Sequence, residues 1–327
     1  MLPHPLPNAE LHMHVKGALQ PELLVRIAAR NGIDLPITDP EALRARYVFE
    51  DLQSFLDVHY ANLKVLRTEQ DFYDLAASYL EHARAGGVRR AEVFIDPQVH
   101  VGNGVPLPAV MNGYGAAFDE ARAAGQSCDI IMCFLRDLGA DAAEEMFRAA
   151  MPFRDRFIGV GLDSTEVGYP PSLFQRVYAM AASEGLHRVA HAGEEGGPDY
   201  VREALDLLGV ERVEHGLRAM EDPELVRRLA DEQVALTVCP LSNVALRAVD
   251  TMADHPVTAM LNAGVRVTVS SDDPAYFGGY VEANFAALRS DAGLDDDQLR
   301  ALALNSFDAC FVDAAARDEW KAELLAD

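Results

Sequence analysis

The chain has 327 residues, of which 50% are hydrophobic, so it carries enough apolar sequence to bury one large core. Its 28 basic and 52 acidic side chains give a formal charge of −24, which repels phosphate backbones and anionic lipid surfaces. This balance argues against a nucleic-acid partner and against a membrane-surface role.

The N-terminus lacks the pattern of an export signal, and no apolar run reaches the roughly 18 residues of a membrane span. The four cysteines form no CxxC pair, which is typical of buried thiols in a reducing compartment. We therefore expect a cytoplasmic protein that inserts into no membrane. The sequence leaves open whether it forms a homo-oligomer.

Short β-rich runs alternate with amphipathic helical segments along the whole chain. We predict helices at 21–31 and 69–85, and an extra helical region at 51–66 between the first two strands. The eight predicted strands are 9–15, 90–99, 129–136, 157–163, 188–191, 212–215, 235–239 and 265–270. Because no glycine-rich dinucleotide motif follows the first strand, eight such units favour a single (β/α)8 barrel over residues 1–327 rather than a doubly wound sheet.

The first predicted strand contains two histidines, His12 and His14, two positions apart. Side chains two apart on a strand project from the same face, where they can bind one ion. Isolated pairs of this kind also occur without a metal, so the pair indicates a metal site only together with residues elsewhere in the chain.

Further polar residues follow the later strands. His191 ends the fifth predicted strand, His215 ends the sixth, and Asp272 follows the eighth. In a barrel these carboxyl ends converge on one mouth, so residues far apart in sequence become neighbours there. Imidazoles and a carboxylate suit a divalent transition ion, most simply one Zn²⁺ per subunit with a position left for water.

A carboxyl group beyond the metal ligands is available for proton transfer. Glu194 lies three residues after His191, close enough to face a substrate beside the metal, and we assign it as the general acid/base. An activated water that attacks an electron-poor ring carbon needs the adjacent ring nitrogen protonated, which a carboxylic acid supplies. The combination predicts hydrolytic deamination.

Several longer strings carry a family resemblance. The segments 6–14, 191–194, 215–216 and 271–274 resemble the motifs of the adenosine/adenine deaminase family, and the match extends over nearly the whole chain. Segments 96–98, 161–171, 239–243 and 272–280 resemble the adenine deaminase branch more than the adenosine branch. The resemblance implies a (β/α)8 barrel of the metallo-dependent hydrolase type and a small-molecule aminopurine as substrate.

The resemblance also implies a role for each site residue. It makes His12, His14, His191 and Asp272 the zinc ligands. It gives Glu194 the proton transfer at ring N1, His215 the orientation of the attacking water, and Asp273 a contact to N7. Gly161 would offer its backbone N–H to a ring nitrogen, although a glycine there equally serves a close turn.

Three positions depart from the family pattern. Lys16 stands where the family usually carries an acidic residue, Ser270 stands where an asparagine is usual, and the loop 100–104 is less basic than expected. The position of Lys16 is associated with the part of the ligand away from the reacting amine, so it suggests an altered, anionic or acceptor-bearing distal group. The alternative is a lysine turned to solvent.

Three functions are therefore compared. The first is zinc-dependent deamination of adenine or an adenine derivative; the second is a related zinc hydrolase acting on another heterocycle, with Lys16 contacting an anionic group. The third is a catalytically silent binding protein, which has no need to keep Glu194 and His215 beside the ligands. We assign no role to the remaining histidines, which are 4, 59, 82, 100, 187 and 255 and are expected to be solvated or to cap helices.

Overall fold

The computed structural model describes residues 5–326. Its eight strands form one sheet, in which each strand pairs in parallel with the next along the chain. They are β1 (Asn8–Glu10), β2 (Val88–Ile95), β3 (Ser127–Leu135), β4 (Gly159–Asp163), β5 (His187–Ala192), β6 (Arg212–His215), β7 (Ala235–Val238) and β8 (Arg266–Val269). The sequence of strands with helices between them confirms the predicted (β/α)8 barrel.

The helices cover the outside and the two ends of the barrel. They are α1 (Pro21–Arg30), α2 (Pro40–Arg44), α3 (Leu52–Leu63), α4 (Glu69–Ala85), α5 (Pro97–Gly102), α6 (Leu107–Ala123), α7 (Ala140–Ala150), α8 (Gln175–Ser183), α9 (Pro198–Glu203), α10 (Pro223–Glu232), α11 (Pro240–Ala245), α12 (Val257–Asn262), α13 (Val281–Ser290), α14 (Asp296–Ala309) and α15 (Ala314–Ala326). Many begin with proline, whose missing N–H costs nothing in the first turn. Within residues 5–326, none is long and apolar enough to cross a membrane.

Two predicted strand ends were wrong. The first strand stops at Glu10 rather than at residue 15, and a short 3-10 helix occupies Val15–Ala18. The second stops at Ile95 rather than at residue 99, because Pro97 opens α5. Proline fixes a helix-compatible φ and has no N–H for a sheet ladder, so the chain turns into a helix there.

The first and last strands meet at a seam beyond β1. The Asp272 N–H donates to the His12 carbonyl at 3.0 Å, and the His14 N–H donates to the Asp272 carbonyl at 2.9 Å. The Ser270 hydroxyl accepts from the N–H groups of Leu11 and His12 at 3.2 and 3.1 Å. The serine that departs from the family pattern therefore closes the barrel instead of facing the substrate.

The extra helical region predicted between the first two strands is present. Helix α3 starts at an Asp51 N-cap, whose carboxylate accepts from the Ser54 N–H at 2.8 Å. The buried face of α3 packs through Phe55 and Leu56 against Tyr276 and Phe277, which follow β8. Because these residues follow the strand ends, α3 lies over the mouth of the barrel.

Charged side chains fill part of the barrel interior. Arg212 is fully buried and donates to Glu92 at 2.7 Å and to Glu214 at 3.1 Å. Glu92 also accepts from Arg90 at 3.1 Å, so β2 and β6 each carry a buried base and a buried acid two residues apart. A buried charge is tolerated only when it is paired in this way. The four cysteines are free and buried, as expected.

Candidate active site

The four predicted metal ligands lie together at the carboxyl ends of the strands. One ligand atom from each of His12, His14, His191 and Asp272 lies within 4.8 Å of the others. His191 comes from β5 and Asp272 directly follows β8. His12 and His14 lie beyond the end of β1, but the backbone of this segment still pairs with neighbours on both sides. The alternation of side chains therefore persists, and both imidazoles reach the same point.

The distances between the ligand atoms fit a tetrahedral ion. The Nε2 atoms of His14 and His191 are 3.2 Å apart, and Asp272 Oδ1 lies 3.5 Å from the Nε2 atoms of both His12 and His14. Ligand atoms at about 2.0–2.1 Å from a tetrahedral Zn²⁺ are separated by about 3.4 Å. His12 Nε2 is buried and has no hydrogen-bond partner, so it is free to bind an ion. The residues present fit the metal.

The outward-facing atoms of these ligands are held by the protein. His12 Nδ1 lies 2.9 Å from Thr237 Oγ1 and 3.2 Å from Glu214. His191 Nδ1 donates to the Leu162 carbonyl at 2.9 Å, a contact that fixes its tautomer and leaves Nε2 unprotonated. Such outer contacts orient a ligand and raise its basicity.

Burial also prepares the ligands electrostatically. It lowers the pKa of His14, and it lowers that of His191 well below the ordinary histidine value, so both are neutral near pH 7. The Asp272 carboxylate accepts from the Ser242 hydroxyl at 2.6 Å through Oδ2, which leaves Oδ1 for the ion. Two neutral imidazoles and an oriented carboxylate match the donors that zinc prefers.

A second group of acids, Asp96 and Asp163 with His14, also has metal-ligand spacing. Lys16 already supplies the positive charge there, since its Nζ is 2.7 Å from Asp96 and 3.7 Å from Asp163. Lys16 is only 5% exposed, so the interpretation as a solvated lysine was wrong. It lines the pocket, and its charge is paired with Asp96.

Glu194 and Asp273 face the same pocket as the metal ligands. Burial, followed by the negative charge of Asp272, raises the pKa of both carboxyl groups well above the ordinary range. Asp273 Oδ1 is buried without a hydrogen-bond partner, so it is available to a ligand. Gly17 makes this position possible, because a Cβ at residue 17 would lie 2.1 Å from Asp273 Oδ1.

His215 is held in one tautomer by a chain of hydrogen bonds. The Val257 N–H donates to His255 Nδ1, which places the proton of His255 on Nε2, 3.2 Å from Asn243 Oδ1. The Cys239 N–H donates to the same oxygen at 3.2 Å, so the amide nitrogen of Asn243 faces His215 Nδ1, also at 3.2 Å.

The proton of His215 is therefore on Nε2, which lies 3.5 Å from Glu194 Oε2. Burial lowers the pKa of His215 to about 3, so the ring is neutral. A neutral imidazole with an N–H aimed at the space beside Glu194 can hold a water or an oxygen there.

The remainder of the pocket is contributed largely by α3. The pocket has a volume of about 420 Å³, part of which is open to solvent, and its walls include Phe55, Leu56, His59 and Tyr60 from this helix. Ser164 also lines it, with its hydroxyl 3.0 Å from that of Tyr60. His59 is fully buried, and neither of its ring nitrogens has a hydrogen-bond partner. Apolar walls with a few unpaired polar atoms are typical of a site for a small heterocycle.

The structure and the predicted site differ in three respects. Gly161 is not brought to the pocket wall: it lies two residues before the end of β4, where its missing Cβ leaves space for the Cys133 sulfur. His59, His100 and His255 are buried rather than solvated, and His59 is a pocket residue that the strand-end argument missed. His4 lies outside the described residues.

Asp163 and Glu166 are also buried inside the protein. Asp163 lines the pocket beside Lys16, while Glu166 contacts the backbone of the segment that carries Glu194. No local pattern indicates either contact, since the partners are distant in sequence.

Comparison with known proteins places this geometry in a family. The family model described as adenosine deaminase matches residues 7–326. The chain belongs to the adenosine deaminase family. It is 56% identical to an adenine deaminase of Streptomyces coelicolor over 324 residues, which cover 99% of this chain and 95% of that protein.

Solved structures agree with this assignment. The crystal structure of an adenine deaminase from Arthrobacter aurescens superposes with a TM-score of 0.96 at 51% identity and covers 98% of both chains. An amidohydrolase from Burkholderia ambifaria, solved with bound Zn, gives a TM-score of 0.90 at 30% identity and covers 99% of this chain and 90% of its own. The metallo-dependent hydrolase barrel is thereby confirmed.

Proposed function

We propose that this chain is a zinc-dependent aminohydrolase that converts adenine, or an adenine derivative, to the 6-oxo product and ammonia. The observation that carries the proposal is the cluster of His12, His14, His191 and Asp272 at the base of one pocket that Glu194 also lines. The relatives from Streptomyces and Arthrobacter, both adenine deaminases, support the purine, and the Burkholderia structure supports the metal.

The three histidines and Asp272 would hold the ion. When bound, Zn²⁺ lowers the pKa of a water towards neutrality and so supplies the nucleophile for attack at C6. Every proton in the reaction is then handled by side chains of the pocket. The overall change is addition of one water and loss of one ammonia.

Glu194 carries the proton. Its raised pKa keeps the carboxyl group protonated, so it donates to ring N1 and makes C6 electrophilic. The resulting carboxylate accepts a proton from the attacking water and passes it to the leaving amine. It then takes back the remaining hydroxyl proton as the C6 carbonyl forms, so the acid is regenerated. The His215 Nε2–H, 3.5 Å from Glu194, orients the attacking oxygen between the two groups.

Asp273 and the face of α3 would position the ring. The unpaired Oδ1 of Asp273 is the group available to N7, and the buried nitrogens of His59 are available to the opposite edge. Phe55 and Leu56 supply apolar contact and exclude water. This arrangement holds a flat, neutral heterocycle.

The alternative is a substrate with an anionic distal group bound by Lys16. Lys16 does line the pocket, which is the observation in its favour. An anion would, however, compete with Asp96, which already lies 2.7 Å from the ammonium. The pocket therefore favours a neutral ligand near Lys16, or one with an acceptor atom.

The deciding experiment measures ammonia release by Zn²⁺-loaded protein, with a metal-stripped control. The substrates are adenine, N6-alkyl adenines, adenosine, AMP and non-purine amino-heterocycles. Metal-dependent turnover of adenine is expected. Silence on the neutral purines with turnover of AMP or another anionic amine would contradict the proposal and favour the alternative.

A further inference from the structure

One buried carboxylate contacts the whole backbone segment that carries Glu194. Glu166 is 1% exposed and lies after the end of β4. Its Oε1 accepts from the Gly193 N–H at 2.7 Å. Its Oε2 accepts at 3.1, 2.8 and 2.9 Å from three further N–H groups, those of Glu194, Glu195 and Gly196.

Successive N–H groups that point to one side form a concave anion site, which proteins commonly use for phosphate. Here the anion is the carboxylate of Glu166, which belongs to the protein itself. A Cβ at Gly196 would lie 2.8 Å from Glu166 Oε1, so the loop passes as close to the carboxylate as glycine permits. Gly193 has φ +78°, a left-handed conformation that lets its N–H turn inward.

The same segment is held from its other end by a buried cation. Arg136 is fully buried and donates to the carbonyl of the metal ligand His191 at 2.8 Å, and to that of Tyr169 at 2.9 Å. The Glu166 carboxylate, which accepts from the amides, and the Arg136 guanidinium, which donates to the His191 carbonyl, thus fix the segment between His191 and Gly196. Such rigidity matters because an acid/base group displaced by about 1 Å can lose about 100-fold in rate.

We propose that Glu166 is a positioning residue for the reaction: it fixes the loop 193–196 so that the Glu194 carboxyl group stays aimed at the reacting ring nitrogen beside the metal. Glu166 does not itself line the pocket, so it acts through Glu194, by holding its backbone and by a negative charge that helps to raise the pKa of its carboxyl group. The inference rests on the proposed role of Glu194 in proton transfer.

The first test replaces Glu166 with glutamine. In Glu166→Gln the amide nitrogen cannot accept, so either one or three of the four hydrogen bonds are lost. We expect kcat for adenine to fall about 10–100-fold while KM changes less than about threefold and bound zinc is unchanged. Glu203→Gln is the matched control, because Glu203 also accepts a backbone N–H, that of Ser172 at 2.9 Å, but lies away from the pocket.

A double-mutant cycle separates positioning from general destabilisation. If Glu166 acts through Glu194, Glu166→Gln added to Glu194→Gln lowers kcat no further than Glu194→Gln alone. Losses that multiply in the double variant would overturn the proposal, as would wild-type kcat in Glu166→Gln. Should Glu166→Gln fail to fold, Glu166→Asp shortens the side chain by one methylene and enters the same cycle with the same expectations.

Hydrogen exchange keeps the inference testable without turnover. The amides of 193–196 should exchange faster in Glu166→Gln than in wild type or Glu203→Gln, while the β-strand amides stay protected. Unchanged exchange in the loop 193–196 would refute the proposal that Glu166 fixes this loop. Faster exchange in Glu166→Gln, together with a wild-type protein that does not turn over adenine, would instead mean that Glu166 does fix the loop and that the proposed substrate is wrong.

Discussion

Replacing Lys16 with methionine should expose the role of its charge. Lys16 Nζ lies 2.7 Å from Asp96, with side chains 6% and 0% exposed. At that distance and an effective dielectric constant of about 20, the attraction is about 6 kcal/mol, part of which offsets the desolvation of both ions. Removing one partner leaves Asp96 buried and unpaired, so Lys16→Met should lower the free energy of unfolding by about 3–5 kcal/mol.

The loss of unfolding free energy in Lys16→Met should depend on pH in a defined direction. Burial tends to raise the pKa of Asp96, but the positive charge of Lys16, together with the neighbouring Asp163 and His14, lowers it well below the ordinary aspartate value. In wild type, the stability from Asp96 is therefore present above its unfolded pKa and is lost as pH falls through its folded pKa. Without Lys16 the largest effect that lowers this pKa is gone, and burial is opposed only by Asp163 and His14. Asp96 can then protonate within the fold, so the deficit should be smaller at about pH 5 than at about pH 8.

Urea unfolding at both pH values measures this, and the chain provides a matched control. Lys321 Nζ also lies 2.7 Å from an aspartate, Asp308, but the two side chains are 30% and 34% exposed. Lys321→Met should cost about 0–1 kcal/mol at either pH. Equal losses in the two variants, or a Lys16→Met deficit that does not change with pH, would refute the reasoning about the buried pair.

Three further changes test the site. Glu194→Gln should retain zinc and lose kcat by about 10²–10⁴-fold, since an amide cannot donate the ring proton; full turnover with normal metal content would remove Glu194 from the chemistry. Gly17→Ala places a methyl group 2.1 Å from Asp273 Oδ1, so KM for adenine should rise and the thermal midpoint should fall, and unchanged kinetics would separate Asp273 from substrate binding. Chelation should lower the midpoint, and added Zn²⁺ should restore it; an indifferent midpoint in calorimetry would argue against a metal held by His12 and its neighbours.

The metal ligands were predictable because two simple periodicities place them. Alternation along a strand sets His12 and His14 on one face, and the barrel brings the ends of its strands together. The alternation held even though β1 ends at Glu10, because the following backbone pairs with Phe94 on one side and Asp272 on the other. The site depends on this backbone pairing, not on the residue at which the strand formally ends. The alternation of side chains in the sequence indicates the pairing more reliably than it indicates that last residue.

Boundaries were less accurate where a turn competes with a strand. The run before residue 99 is apolar enough to continue β2, yet Pro97 ends the ladder. Gly161 shows a different limit, because the end of its strand at residue 163 was predicted correctly and only its role, which the resemblance implied, was not. It lies inside β4, two residues before the strand ends, where its missing Cβ leaves space for the Cys133 sulfur.

Residues that act behind the ligands were not predictable, because their partners are distant and leave no periodic signal. Glu166 contacts amides 27 to 30 positions later. His255 was expected to be solvated or to cap a helix, and its relation to His215 depends on Asn243 in a different segment. Such contacts follow from the packed fold and not from a local pattern.

The tautomer of His215 shows why residues outside the pocket matter for the chemistry. A neutral imidazole presents one N–H and one lone pair, and exchanging them would aim a lone pair at the attacking water in place of a donor. The side chain of His215 does not by itself favour one of the two tautomers. The tautomer is set by the Val257 N–H, which can only donate, through the hydrogen bonds of His255 and Asn243. A fixed backbone donor thereby determines the direction in which a proton is held at the reacting centre.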